Sequence, residues 1–341
     1  MASDIKRVLI TGSSGYVGCA IVSSLRQRFP KAEILGVDVT RPPASAPQPD
    51  EFVKRDIRSP GLSLSLMEFQ PDTVIHLAFV VSPLHDTQKM HDINIGGTKN
   101  LFRAIDENPV KPARLMIASS VTAYGVFPDN PIPLTEADPI RGAKSTYDYA
   151  AHKAFLEEMT VKFAEDHSEI KVSWIRPCIL VGNGLRNSIT DTVLAEKFGA
   201  VPFNPAPVQL GHVSDVGAAS VAILENNGTG PYNIAPKDTL TQKEIAKITG
   251  TTRITAPFWL LYLLGALLWW LHLAKLPPTA LNFLKYPMVV ASTKLDALGF
   301  KYEYSSKEAL EAYVKEQKAS SPSSSSSSRK ADEESQRKKE K

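Results

Sequence analysis

Val8-Leu9-Ile10-Thr11-Gly12-Ser13-Ser14-Gly15-Tyr16-Val17-Gly18 reads as a short apolar strand, a glycine-rich turn and the first turn of a helix. Gly12 permits the tight turn, Gly15 lets backbone approach a pyrophosphate with no Cβ in the way, and Gly18 lets the helix lie close on its strand. The first N–H groups of that helix, with the positive end of its dipole, then face the phosphates. An ordinary strand, turn and helix can carry the same glycines, so the surroundings decide. A second strand, Ile34-Leu35-Gly36-Val37, ends in Asp38, about twenty residues on, where a carboxylate meets the adenosine ribose hydroxyls. Together these features define a dinucleotide site. Asp38 favours NAD because its charge repels a 2′-phosphate, while Arg41 leaves NADP open.

Further apolar runs follow at Thr73 to Leu77, Leu115 to Ala118 and Val172 to Ile175, with helix-length segments between them. That alternation predicts an α/β fold, a doubly wound parallel sheet with helices on both faces. After a Pro-rich loop, Arg41 to Pro49, the stretch Glu51 to Asp56 reads as a short strand ending in a carboxylate. Asp56 either meets the adenine amino group or starts a solvated loop. A helix is expected from about Asp92 to Glu107, and its paired Gly96 and Gly97 imply close packing on the sheet or on the cofactor.

Beyond Val181 the pattern changes to Gly182-Asn183-Gly184, a polar helix and the Pro-rich Val201 to Pro207, with sheet-like signals again at Gln209 to Val213 and Pro231 to Ile234. We therefore expect a dinucleotide-binding domain over 1–180, rejoined by 208–224. A smaller, interleaved C-terminal substrate lobe is expected from 181–207 and 225–317. The Ser-rich, charged tail 318–341 cannot bury a core and is expected to be disordered.

The 341 residues are 43% hydrophobic and 22% charged with a net charge of +3, and Ser320 to Lys341 holds six Lys or Arg against four Asp or Glu. The remainder is near neutral, which excludes a nucleic-acid partner. Cys19 and Cys178 stand in no metal-ligand spacing, so no metal site is expected; both read as small buried residues of a reducing compartment. No apolar stretch follows a basic start at Met1 to Lys6, and the expectation is a cytoplasmic protein.

The stretch Ala256 to Ala274 carries no formal charge across 19 residues. Pro257, Gly265 and His272 interrupt it, and Phe258, Trp259, Tyr262, Trp269 and Trp270 cluster towards its ends. It fits a buried helix of the second lobe, a helix lying on a membrane surface, or a span.

Two segments carry candidate chemistry. In Ser145 to Phe155, Tyr149 and Lys153 are four apart, on one helical face. An ammonium beside a phenol, together with an oxidised nicotinamide, favours the phenolate and makes Tyr149 a proton-transfer group. Tyr147 falls on another face and reads as pocket wall, and His152 as a surface or core-edge residue. Met116 to Gly125 places hydroxyls at Ser119, Ser120 and Thr122 where a strand ends. Taken alone, such serines read as turn chemistry.

These residues resemble the extended short-chain dehydrogenase/reductases, the NAD-dependent epimerases and dehydratases. The resemblance covers roughly Lys6 to Leu310. It rests on TGSSGYVG at Thr11 to Gly18, Asp38, HLAF at His76 to Phe79, the Asn94 to Asn100 stretch, SSVTAYG at Ser119 to Gly125 and YAAHK at Tyr149 to Lys153. IRP at Ile175 to Pro177, HVSDV at His212 to Val216 and YNIA at Tyr232 to Ala235 complete it.

It implies that Tyr149 exchanges the substrate hydroxyl proton, that Lys153 holds the nicotinamide ribose and lowers the tyrosine pKa, and that Ser120 positions the reacting oxygen, with Thr122 the weaker candidate. Beyond Gly12, Gly15, Gly18, Asp38, Asp56, Tyr149 and Lys153, the implied cofactor contacts are Tyr16, Val17, Ile57, Leu77, Ala78 and Pro177. A homodimer is a further implication.

Two departures narrow the substrate. Sugar 4,6-dehydratases carry Thr-Asp-Glu where this chain has Ser120-Val121-Thr122, which counts against water elimination. Nucleotide-sugar members present an arginine shortly before the His-Val-x-Asp motif, where this chain reads Val208-Gln209-Leu210-Gly211. The apolar C-terminal lobe is instead similar to the 3β-hydroxysteroid dehydrogenase branch. The reading is an NAD-linked oxidoreductase acting between secondary alcohol and ketone on a sterol- or lipid-like small molecule at or near a membrane. Two alternatives stand beside it: a nucleotide-sugar epimerase, and a cofactor-binding sensor or scaffold without catalysis.

Overall fold

The computed structural model describes residues 5–182, 185, 194 and 198–320. Its main sheet has seven strands: β1 (Arg7–Thr11), β2 (Glu33–Asp38), β3 (Glu51–Lys54), β4 (Thr73–His76), β5 (Arg114–Ala118), β6 (Lys171–Pro177) and β10 (Gly230–Ile234). Their order is β10-β6-β5-β4-β1-β2-β3, with every neighbouring pair parallel. Two small parallel pairs stand apart: β7 (Ile179–Val181) with β9 (Leu210–His212), and β8 (Phe198–Pro202) with β11 (Thr252–Ala256).

Both faces of the sheet are covered, which is why its strands are continuously apolar rather than alternating. Val8 and Ile10 of β1 pack on one side with Val22 and Leu25 of α1 (Tyr16–Arg28). Leu9 packs on the other with Leu66 of α2 (Leu62–Phe69) and Leu101. Sheet order reverses between β1 and β4, and in such sheets the crevice for a ligand opens at the carboxyl ends of those strands. The fold is the Rossmann-like α/β arrangement expected from the alternation, but its edge strand β10 comes from within 225–317, assigned above to the second lobe.

The helix expected from Asp92 starts earlier and is composite: α3 (Thr87–His91), a π-helical turn Asp92–Gly96, then α4 (Gly97–Glu107). Gly97 is where close packing is required, since a Cβ there would stand 2.4 Å from Ile57 Cγ2; Gly96 has nothing within 4 Å. Farther on come α5 (Asp148–Asp166), α6 (Val213–Glu225), α7 (Gln242–Thr249) and α8 (Phe258–Trp270).

The apolar stretch forms α8, a helix of 13 residues with none buried. That overturns the buried-helix reading, and among the described residues no helix is long and apolar enough to cross a membrane. The chain's last described helix, Ser306–Ser320, takes in Lys318 to Ser320, expected above to be disordered. The rest of that tail, from 321, and most of the polar helix expected after Gly184 lie outside the described residues. Cys178 is buried as expected, whereas Cys19 is only half-buried.

Candidate active site

The glycine turn closes on the neighbouring strand. Gly12 has φ +72° and donates its N–H to Val37 O at 2.8 Å; a Cβ on it would come within 2.6 Å of Ala78 N. At Gly18 a Cβ would sit 2.5 Å from Gly12 O, so helix and turn can approach only because residue 18 is glycine. α1 begins with no side-chain cap and no acidic residue in its first turn, which leaves its positive end for an anion. Asp38, at the end of β2, accepts from Ser14 N at 3.0 Å and from Thr40 N at 3.2 Å, placing a carboxylate beside the turn. These features fit a dinucleotide: an open anion end, a cradle that any Cβ would fill, and a carboxylate at ribose position.

Asp56 is otherwise engaged, because Arg58 donates to both of its oxygens and holds its carboxyl below the usual range. Ile57 is buried against α4. Arg41 lies over the Phe52 ring, 5.1 Å from the centroid. His76 of the HLAF stretch is buried between Thr11 Oγ1 (2.7 Å) and Thr98 Oγ1 (3.0 Å), and burial pushes it down to about 3, so it is a neutral tie between elements.

Ser120, Tyr149 and Lys153 come together in one buried cluster. Ser120 stands two residues after β5 and caps the 3₁₀ turn Val121–Tyr124, accepting from Thr122 N at 3.2 Å, and its hydroxyl acts on the Tyr149 phenol. Tyr149 and Lys153 lie on the first turns of α5, where Lys153 Nζ donates to Ala118 O at 2.6 Å and stands 3.5 Å from the centroid of the Phe79 ring. The Tyr149 ring meets Phe79 edge-on at 5.9 Å and Tyr147 at 6.0 Å.

Burial pushes the Tyr149 phenol up, helped by Tyr16 and Tyr147 and opposed by the Ser120 bond. Burial also pulls the Lys153 ammonium down to about 7, against the pull of Glu157. The amine is aimed at Ala118 O and the Phe79 ring, so a lowered phenol, expected from an adjacent ammonium together with an oxidised nicotinamide, is not a property of these side chains by themselves. Tyr147 joins Phe283 edge-on at 5.9 Å as pocket wall, and His152 is half-buried at Asn94 and His91.

Sequence reading missed the support behind this cluster. Glu157, one turn after Lys153, is buried and takes Arg176 Nη2 at 2.6 Å, Trp174 Nε1 at 2.8 Å and Ser119 Oγ. Arg176 also donates to Tyr124 Oη at 2.6 Å. The available signal was an arginine inside an otherwise apolar strand, since a buried charge demands a partner.

A cavity of about 540 Å³ joins these parts. Its lining takes in Gly12, Gly15, Val17, Gly18 and Leu77 around the glycine turn, then Ser120, Tyr149, Lys153 and Pro177, and from the second lobe the mostly apolar Gly265, Lys275, Leu276, Pro278, Leu281, Phe283 and Met288. Val208 and Gln209 also line it, but the Gln209 amide is spent on Pro236 O (2.6 Å), Val290 O (3.0 Å) and Val290 N (3.0 Å).

A parallel seven-stranded sheet of order β3-β2-β1-β4-β5-β6-β10 with this turn and cluster defines an NAD-binding protein of the extended short-chain dehydrogenase/reductase class. The chain belongs to the NAD dependent epimerase/dehydratase family, whose model matches residues 8–235, and NAD is the cofactor of that family. An uncharacterized protein of Mycobacterium tuberculosis is 23% identical over 322 residues, covering 91% of this chain and 84% of that one. The decarboxylating sterol-4-alpha-carboxylate 3-dehydrogenase of Candida albicans is 26% identical over 214 residues, 58% of this chain and 57% of that one. Among solved structures, the UDP-glucose 4-epimerase of Thermus thermophilus in complex with NAD superposes with a TM-score of 0.71 at 22% identity, covering 92% of this chain and 100% of that one.

Proposed function

We propose that the protein is an NAD-linked oxidoreductase that interconverts a secondary alcohol and a ketone on a lipophilic, sterol- or lipid-like substrate. The observation that carries this reading is the single cavity, lined by the glycine turn, by Ser120, Tyr149 and Lys153, and by a mostly apolar wall from the second lobe. When bound, NAD supplies the hydride chemistry. Ser120 Oγ and the Tyr149 hydroxyl, both lining the cavity, hold the substrate oxygen between them. Tyr149 gives its proton to that oxygen in reduction and takes it in oxidation, and Lys153 holds the nicotinamide ribose.

The domain division follows the same cavity: 1–180 with 208–224 holds the cofactor, while 181–207 and 225–317 supply the apolar wall and, through Gly230–Ile234, one strand of the main sheet.

The positions before His212 are what weaken the nucleotide-sugar reading, Lys275 being the cation that the second lobe brings to the cavity. A pyrophosphate taken out of water needs a cation. Val208 stands four residues before His212 and is buried in an apolar cluster, and Gln209 has no free amide group to offer. The Candida albicans relative, named for a sterol substrate, supports the lipophilic class.

The test is NADH formation, followed by absorbance, with NAD and a panel of sterols, other lipophilic secondary alcohols and UDP-sugars. Turnover confined to the lipophilic alcohols is the expected result. Activity confined to UDP-sugars, as NADH release or as epimerised product, overturns the reading.

Asp38 makes a second, separable prediction. Its carboxylate bonds to the ribose hydroxyls of NAD and repels a 2′-phosphate, so Asp38→Ala weakens NADH binding by about 10- to 100-fold, the worth of a hydrogen bond to a charged group. NADPH binding is expected to be unchanged or tighter. Fluorescence titration with both nucleotides measures this, and equal weakening of the two would remove Asp38 from the ribose site.

A further inference from the structure

Helix α8 is apolar all round and largely uncovered. Trp259, Leu263, Leu267 and Trp270, on one face, are 66%, 62%, 51% and 73% exposed. Of the eighteen exposed large hydrophobic residues described, nine fall between Trp259 and Leu273. Water is a poor solvent for a patch of that extent.

Two further observations identify what covers it. From Ile245 to Leu295 the chain has no Asp or Glu, but it has Lys247, Arg253, Lys275, Lys285 and Lys294. Lys275 and Lys285 are exposed at the base of the helix, and Lys285 Nζ lies 4.7 Å from the Phe258 ring centroid. An apolar face on a segment whose own charges are all positive, with Asp148 near it only at Trp269, fits a surface of acyl chains beneath anionic headgroups. It fits a second copy less well, because two such segments would bring like charges together. The inner side of the same helix belongs to the cavity: Gly265 lines it and rests on Leu281, 3.1 Å from where a Cβ would stand, and Ala274, Lys275 and Leu276 continue the wall.

We infer that α8 lies in the surface of an anionic phospholipid bilayer and forms the entrance of the cavity, so that a lipophilic substrate passes from the bilayer towards Tyr149 without crossing bulk water. The docking is independent of the catalytic reading, whereas the substrate route rests on it. Trp at both ends of the helix suits the headgroup level, and a helix of 13 residues lies along the surface rather than through it.

The experiment is flotation of the full chain with phosphatidylcholine vesicles, with and without phosphatidylglycerol, alongside the double variant Leu263→Glu/Trp270→Glu. Neither substituted residue lines the cavity. Co-flotation with the anionic vesicles, reduced at high salt and at least tenfold weaker in the variant, is expected. Failure to float with either vesicle overturns the docking, as does a dimer that the double variant turns into a monomer.

The route is read from NADH formation. The variant should match the parent with cyclododecanol in detergent and lose at least tenfold with 5α-cholestan-3β-ol carried in vesicles. Equal activity on the vesicle-borne sterol overturns the route and leaves the docking standing. Absence of turnover with every alcohol overturns the oxidoreductase reading, and the route with it, while flotation still decides the docking.

Discussion

Replacing Tyr149 by Phe is expected to lower turnover by roughly 10³-fold, within the range attributed to a positioned proton donor or acceptor, while NAD affinity stays within about twofold. The substitution removes one oxygen and keeps the ring, so the edge contact with Phe79 at 5.9 Å and the Tyr147 contact at 6.0 Å survive. Ser120 Oγ still accepts from Thr122 N, and folding should change by no more than ~1 kcal/mol.

The same phenol sets the pH dependence. Burial raises its pKa, so near neutral pH it carries its proton and is ready for ketone reduction. Oxidation of the alcohol needs the proton gone, so its rate should climb from neutral pH and keep climbing to beyond the ordinary phenol value of about 10, and lose that slope in the Phe variant. Turnover unchanged by the substitution would remove Tyr149 from proton transfer. Loss of turnover with the biological role intact would instead favour a sensor or scaffold.

The elements legible in the sequence are those whose chemistry is local. β1 is buried on both faces, so its apolar run is strand-like by itself, and the turn after it needs glycine at two positions for reasons visible in the spacing. The triad segments could be found because Tyr149 and Lys153 share a helical face and Ser120 follows a strand.

What was not legible depends on partners far along the chain. Gly97 is explained by Ile57, forty residues earlier, and nothing in Asp92–Gly96 announces a π-helical turn. Strand β10 pairs with β6 across more than fifty residues and thereby leaves the lobe to which composition assigned it. For Ala256 to Ala274, hydropathy is the same for a helix that is covered and one that is not; only neighbouring chain decides, and among the described residues the outward face stays largely exposed. Glu157 and Arg176 are separated by 19 residues, and neither alone foretells a buried pair.

Lys153→Met is expected to separate stability from activity in opposite directions. The side chain is almost wholly buried, and burial takes its pKa from the ordinary 10.5 down to about 7. Between those values the unfolded chain binds a proton that the folded chain does not, so folding at neutral pH carries a cost that shrinks as pH rises towards 10. The full gap corresponds to ~5 kcal/mol at ~1.4 kcal/mol per pH unit, an upper figure for a site that can relax. Against it stand the bond to Ala118 O at 2.6 Å, worth ~1 kcal/mol, and the contact with the Phe79 ring at 3.5 Å. The cost of burying the amine outweighs both. The Met variant without nucleotide should therefore melt ~5 °C above the parent at pH 7, with the difference closing by pH 10. Turnover should fall ~10³-fold, because the residue that holds the nicotinamide ribose is gone. Melting curves at both pH values decide the first half: a variant less stable than the parent at pH 7 would mean that Lys153 is held charged by Glu157 rather than neutralised by burial. In that case the lysine is a structural cation, and its part in lowering the Tyr149 pKa would have to come from an arrangement other than the one that aims it at Ala118 O.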